Sequence, residues 1–233
     1  MSDSWDDLAS WWVSEVEDDP AYEYDVHPVL RDLLETTSGR TIDLGCGEGQ
    51  GLRFVGGDVF GTDLSLGLLR HAAMSAPVVQ ARLPDLSWVR SNTFDRAFSV
   101  YLVDLIQDHQ SFFSETARIV KDGGFLAVVI NHPVYTAPGS APFVDPDGEI
   151  LWRWGTYFDK GSMPEPAGDR EIEFFHRSMA ELLSVAADEG WSLDYLIERG
   201  LSPQTIARFP EYVGQQNIPR LAGLRWTKRP QRT

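Results

Sequence analysis

The stretch from Thr41 to Asp63 constrains this chain more than any other. A short apolar run, Thr41-Ile-Asp-Leu44, empties into three alternate glycines, Gly45, Gly47 and Gly49. A second apolar run, Val59-Phe-Gly-Thr62, then ends on Asp63. Parallel neighbours need a crossover between them, and a helix is the usual one. The alternation continues: a helix over Ser65–Met74, with Leu66, Leu69 and Ala73 on one face, and a strand over Pro77–Gln80. A strand over Phe94–Tyr101, a helix over Gln107–Val120 and, after the turn Asp122-Gly-Gly124, a strand over Phe125–Asn131 follow. Strands separated by helices predict an α/β fold, a mostly parallel sheet covered on both faces.

The flanks read differently. In residues 1–38, Trp5, Leu8, Trp11, Trp12 and Val16 recur at helical spacing, Pro20 breaks the pattern, and Pro28 to Thr37 predicts a second helix ended by Gly39. Residues 132–175 interrupt the alternation with six prolines, five glycines and the aromatics Tyr135, Phe143, Trp152, Trp154, Tyr157 and Phe158. Disordered segments avoid aromatics, so this reads as an ordered cap. A helix over Ser178–Glu189 and strands over Trp191–Glu198 and Leu221–Thr227, joined by residues 199–219, close the chain. The expected organisation is a single domain over 1–233: a helical lid (1–38), a ligand-binding core (39–131), a cap insertion (132–175) and the rest of the core sheet (176–233). Its 233 residues suffice for a hydrophobic core without staples.

Charge narrows the partners. Twenty Lys and Arg stand against 35 Asp and Glu, a net charge of -15. Phosphate affinity comes from clustered cations, so neither nucleic acid nor an anionic membrane is an expected partner. One cysteine, Cys46, excludes an internal disulfide framework, and no apolar run approaches a membrane span. The expectation is a soluble, cytoplasmic protein, a monomer or homodimer acting on a small molecule. No His, Cys or carboxylate set has metal-ligand spacing, so no metal is expected.

A glycine turn at the end of a parallel strand lets a ligand approach the backbone, and that sheet edge is where open α/β sheets bind ligands. An acid ending the next strand can accept hydrogen bonds from both hydroxyls of a ribose, which predicts a nucleoside. A dinucleotide fingerprint wants glycine at the first, third and sixth positions. Here the sixth is Gln50, and Glu48 would repel a pyrophosphate. A nucleoside carrying positive charge suits the loop better.

These residues resemble the core of the class I S-adenosylmethionine-dependent methyltransferases. The resemblance rests on TIDLGCGEG (41–49), GTDLS (61–65), NTFDRAFSV (92–100) and ARIVKDGGFLAVV (117–129), in order. It implies a Rossmann-like three-layer sandwich whose seven-stranded sheet has an antiparallel last strand, with S-adenosylmethionine as cofactor. Carried over by position, Gly45, Cys46, Gly47 and Gly49 would form the loop at the methionine part, with Asp43 beneath. Asp63 would hold the ribose hydroxyls, Leu64 would lie on the adenine, and Tyr101 would sit near the methionine or the acceptor. Ala81 and Arg82 would meet the adenine through backbone groups, because no acid ends the third strand. A leading helix in this family often folds over the cofactor, which adds Trp12 and Tyr22, with Tyr24 and Asp25 beside them.

The implied reaction is methyl transfer by in-line displacement to a small, partly hydrophobic acceptor through oxygen, nitrogen or carbon. Where the acceptor must lose a proton, a histidine near neutral pH suits the task. The candidates are His132, after the fifth strand, and His176, at the end of the cap, with Tyr157 third. His27, His71 and His109 read as surface residues. Cys46 is not read as a nucleophile, since no base is tied to it. Two other readings stay open: a non-catalytic domain that binds the cofactor as a scaffold or partner subunit, and a nucleotide-dependent oxidoreductase.

Overall fold

The computed structural model describes residues 3–17, 19–34 and 39–230. Helix α1 (Asp3–Val16), a turn of π-helix (Tyr22–Val26) and α2 (His27–Leu34) come first. Residues 35–37 of the expected second helix lie outside the described residues. The core then runs β1 (Thr41–Leu44), α3 (Gln50–Val55), β2 (Val59–Asp63), α4 (Leu66–Ala72), β3 (Val78–Gln80), β4 (Phe94–Val100), α5 (His109–Ile119) and β5 (Val120–Asn131). A short helix α6 (Pro133–Thr136) leads into two hairpins, β6 (Ala141–Val144) with β7 (Ile150–Arg153) and β8 (Gly161–Ala167) with β9 (Arg170–His176). Helix α7 (Met179–Asp188), β10 (Trp191–Arg199), α8 (Pro203–Arg208) and β11 (Leu221–Lys228) complete the chain. Among the described residues no helix is long and apolar enough to cross a membrane.

Helix starts follow from local chemistry. The side chains of Ser65, Asp108, Ser178 and Ser202 accept backbone N–H groups three residues on, at the heads of α4, α5, α7 and α8. Such caps satisfy donors that the first turn leaves without partners.

The seven strands lie in the order β10-β11-β5-β4-β1-β2-β3. Strand β11 runs antiparallel to both neighbours, and every other pairing is parallel. This is the expected Rossmann-like sandwich with its antiparallel last strand. The period of two along β5 sorts its side chains: Leu126, Val128 and Ile130 join the core beneath α5 and α7, while Ala127 and Val129 join the core beneath α2, α3 and α4. Both faces are buried, so the strand reads as a continuous apolar run.

Three expectations change in detail. Strand β5 begins at Val120, before the glycine turn expected to precede it. The connection 199–219 contains α8, anchored by buried Asp25: Ser202 N donates to its Oδ1 at 2.8 Å and the Thr205 hydroxyl to its Oδ2 at 2.5 Å. The residues expected as cap fold as two-stranded ribbons carrying Pro142, Pro164 and Pro166, residues tolerated only where a strand has a free edge.

Candidate active site

From β1 the chain passes to β2 on one side, while β4 pairs on the other, so the direction of winding reverses at the β1/β4 boundary. Two crossovers leaving in opposite directions open a crevice at the strands' C-terminal ends. A cavity of about 200 Å³ lies there.

Its floor is the glycine loop. Gly45 N and Cys46 N both donate to the Thr62 carbonyl, at 2.8 and 2.9 Å, and so drape the loop over the end of β2. Gly47 takes φ of +53°, a region that favours glycine, and donates its N–H to Asp63 Oδ2 at 2.9 Å. Ser65 N donates to Asp63 Oδ1 at 2.8 Å. Each oxygen of this carboxylate is thus oriented by a backbone donor, with lone pairs left over. A Cβ on Gly47 would meet only Trp12 Nε1, at 3.8 Å, so the loop leaves room that a side chain would fill.

The electrostatics favour a cation. Burial pushes the Asp43 carboxyl well above the usual carboxylate range, and the nearby Asp63 and Glu48 push the same way. Burial likewise raises Asp63, against the backbone N–H groups of Ser65 and Gly47 that lower it. Glu48 is paired to Arg53 at 3.0 Å. Three carboxyls around one loop repel each other, and a positively charged ligand relieves that repulsion. The first turn of α3 presses on Asp43 so closely that a Cβ on Gly51 would come within 2.6 Å of its Oδ2. Cys46 is buried against Gly61, and burial drives its thiol far up, with Asp43 adding to the effect. It is a packing residue.

The cover is α1. Asp6 Oδ1 accepts the Ser65 hydroxyl at 2.7 Å and Gly67 N at 2.9 Å, joining α1 to the head of α4. On its other side Trp11 packs on Gly168 at the β8–β9 turn, and Asp7 pairs with Arg170 at 2.9 Å. Gln50 Nε2 donates to the Val16 carbonyl at 3.0 Å, tying the head of α3 to the end of α1.

Eleven of the twelve residues expected at the cofactor line the cavity: Trp12, Tyr22, Asp43, Gly45, Cys46, Gly47, Asp63, Leu64, Ala81, Arg82 and Tyr101. Gly49 does not. It heads α3 at φ of +97°, packed on α4, where a Cβ would meet Ala72 Cα at 2.9 Å. The backbone N–H of Ala81 is already donated to the Asp63 carbonyl, at 2.9 Å. Tyr24 is exposed, and Asp25 serves α8. Tyr22 and Tyr101 meet edge to face at 6.1 Å, both phenols raised by burial, with Tyr101 at φ of +56°.

None of the three residues expected to move a proton reaches the cavity. His132 Nδ1 accepts Val134 N at 3.1 Å, capping α6, while Nε2 meets Glu198 Oε1 at 2.6 Å, so both ring nitrogens are engaged. His176 donates Nε2–H to the Tyr157 carbonyl at 2.9 Å, and burial lowers its pKa. The Tyr157 hydroxyl accepts Met179 N at 3.0 Å. His176 and Tyr157 fasten the end of β9 to α7. His109, expected on the surface, is buried with Nε2 3.0 Å from the Val103 carbonyl.

The histidine that does line the cavity is His27, stacked on Phe54 at 4.4 Å, with Nε2 buried and without a partner. Burial lowers its pKa. An α-helical period places Tyr22 and His27, five residues apart, on different faces. The π-helical turn between them returns after about five residues and brings their rings to 6.2 Å. Trp5 and Glu48 also line the cavity. Among the described residues no cluster of three His, Cys, Asp or Glu side chains is arranged to hold a metal ion.

Residues 42–128 match the family model described as a methyltransferase domain. The trans-aconitate 2-methyltransferase of Azoarcus sp. (strain BH72) is 31% identical over 108 residues, 42% of this chain and 43% of the relative, so the match spans less than half of that relative's length. An S-adenosylmethionine-dependent methyltransferase from Mesorhizobium loti superposes with a TM-score of 0.76 at 24% identity, covering 86% of this chain and 96% of the other. One from Listeria monocytogenes gives 0.76 at 20% identity, over 88% and 97%. At that identity the two structures speak to the fold, and the stretch matched by the family model includes Gly45, Gly47, Gly49 and Asp63. Residues 42–128 thus match a methyltransferase domain, and the chain as a whole has the fold of the S-adenosylmethionine-dependent methyltransferases.

Proposed function

We propose that the protein transfers the methyl group of S-adenosylmethionine to a small, partly hydrophobic organic acceptor. The observation that carries this reading is the Asp63 carboxylate at the switch point. Its oxygens are oriented by Gly47 N and Ser65 N and keep lone pairs for two vicinal hydroxyls. Gly45, Cys46 and Gly47 are assigned to the methionine part, Leu64 to the adenine, and Asp43 and Glu48 to the field that favours a cation. Bound S-adenosylmethionine supplies a methyl group on a sulfonium, which leaves as a neutral thioether.

The chain's own work is alignment and the exclusion of water. Held near attack geometry, the acceptor reacts without the entropy loss of a bimolecular encounter. Helix α1, clasped between α4 and the β8–β9 hairpin, is assigned the role of cover. A small acceptor is supported by the aromatic and aliphatic lining, which includes Trp5, Trp12, Leu30 and Leu105. It is also supported by the partial relative, a trans-aconitate 2-methyltransferase.

The test is calorimetric titration of the protein with S-adenosylmethionine, S-adenosylhomocysteine and NAD. Micromolar binding of the first two and none of the third is expected. An acceptor screen by mass spectrometry, following a gain of about 14 mass units per methyl transferred, then reads turnover. Binding of NAD in place of the other two overturns the assignment. Tight binding of S-adenosylmethionine with no turnover across the screen favours a scaffold.

A further inference from the structure

Residues 132–136, the β8 ribbon and the segment before β11 meet around Arg220 at the C-terminal sheet edge, outside the cavity lining but near enough for the charge of Arg220 to reach Tyr101. Strand β11 is antiparallel to β5 with Leu221 opposite Asn131, so Arg220 emerges at the edge where β5 ends. Its backbone is fixed there, with N–H donated to the Arg199 carbonyl at 2.7 Å and the carbonyl accepting His132 N at 2.9 Å. Its guanidinium lies 3.4 Å above the centre of the Tyr135 ring and 6.0 Å from that of Tyr212. Tyr135 in turn stacks on Trp152, whose buried Nε1–H has no acceptor.

Arg220 combines this aromatic seat with the lack of an acid partner, whereas two arginines of the same strand pair are claimed, Arg199 by Asp32 and Arg225 by Asp194. Among the described residues no carboxylate lies within ion-pair distance of Arg220, in a chain with fifteen more acids than bases. Two acids are near enough to feel its charge without touching it. Asp104 is bound to Asn131, and Glu165 sits on β8. The Tyr101 phenol, which lines the cavity, feels the same charge. Aromatic faces hold the plane of a guanidinium and leave its N–H edge free. A partly buried, pre-oriented fork with an open edge is built for a planar anion.

Resting on the methyltransferase reading, we propose that Arg220 anchors a carboxylate of the methyl acceptor, so that the substrate class is small organic acids. The stack under the guanidinium sets the angle of the fork.

The test uses the full chain saturated with S-adenosylhomocysteine. The probes are benzoic, cinnamic, indole-3-acetic, glutaric and tricarballylic acids, their primary amides, and phenyl phosphate. Binding is read by ligand-observed NMR and calorimetry on the wild type, Arg220→Gln and Arg220→Lys. Acids are expected to bind and their amides not to. Arg220→Gln should weaken acid binding about ten- to a hundred-fold, the loss of charged hydrogen bonds, and Arg220→Lys should weaken it less. Affinity for S-adenosylhomocysteine should stay unchanged in both. Amides binding as well as acids, acids binding Arg220→Gln as they bind the wild type, or no acid binding at all overturns the proposal. So does preference for phenyl phosphate over every carboxylate. Failure of S-adenosylhomocysteine itself to bind is the separate failure of the methyltransferase reading.

Discussion

Asp63→Asn separates what the carboxylate does for the ligand from what it does for the fold. The substitution keeps one acceptor oxygen and turns the other into an NH₂ group. One backbone donor, Gly47 N or Ser65 N, then faces a donor, and one hydroxyl of the proposed ribose loses its charged partner. A hydrogen bond to a charged group is worth about 1.5–3 kcal/mol, so cofactor affinity should fall by about 2 kcal/mol. That is about thirty-fold in Kd. The apo fold should respond differently. It loses a backbone bond to a charged group worth about 2 kcal/mol but is relieved of a desolvated charge crowded by Asp43 and Glu48. These offset, leaving the apo chain within about 1 kcal/mol of wild type. The sign is checkable by pH. A carboxyl raised in the folded state contributes stability below its unfolded pKa and loses it as pH rises through the folded value, and the Asn variant lacks that contribution. Calorimetry with S-adenosylhomocysteine and urea unfolding of the apo chain read the two quantities. An unchanged Kd refutes the ribose assignment. An apo stability loss above about 3 kcal/mol shows that the carboxylate serves mainly the fold.

Three further outcomes follow from other parts of the molecule. Burial raises Asp104 to about 6, so the folded chain takes up a proton there between pH 7 and 5 while the unfolded chain does not. Lowering the pH over that window should therefore stabilise wild type relative to Asp104→Asn by about 1 kcal/mol, read by urea unfolding at both pH values; a constant difference would count against it. A Cβ on Gly67 would come within 2.8 Å of Ala9 Cβ. Gly67→Leu should lift α1, speed proteolysis within the first twenty residues and weaken S-adenosylhomocysteine binding several-fold while the core still melts cooperatively; unchanged cleavage rejects this. Cys46, buried with its thiol pushed up, should react with maleimide in the native chain no faster than the chain unfolds, and rapid labelling would show the loop to be open.

The middle of the sheet was legible because burial is written into the strands' own residues: Thr41–Leu44 is buried throughout and 126–130 is apolar on both faces. The glycine loop and Asp63 were legible because that chemistry is local in sequence. The two hairpins between β5 and α7 were not, since Pro142, Pro164 and Pro166 argue against strands and their partners lie up to fifteen residues away. His27 escaped because the π-helical turn before it shifts the period by which faces are read. His132 was expected to point into the site, as the sheet edge suggests. Its ring folds back onto Val134 and Glu198, a choice made by α6 and β10 that no spacing in the sequence records.

The clasp between Asp6 and the head of α4 has a kinetic meaning. Ser65, which Asp6 grips, is also the residue whose backbone orients Asp63. Cover and floor therefore share one joint. On the proposed reading, swinging α1 away to release a product would also slacken the carboxylate that retains it, making escape a single concerted event. Variants that loosen the joint should speed departure and weaken retention together, along one line, and turnover limited by departure would rise before affinity becomes limiting.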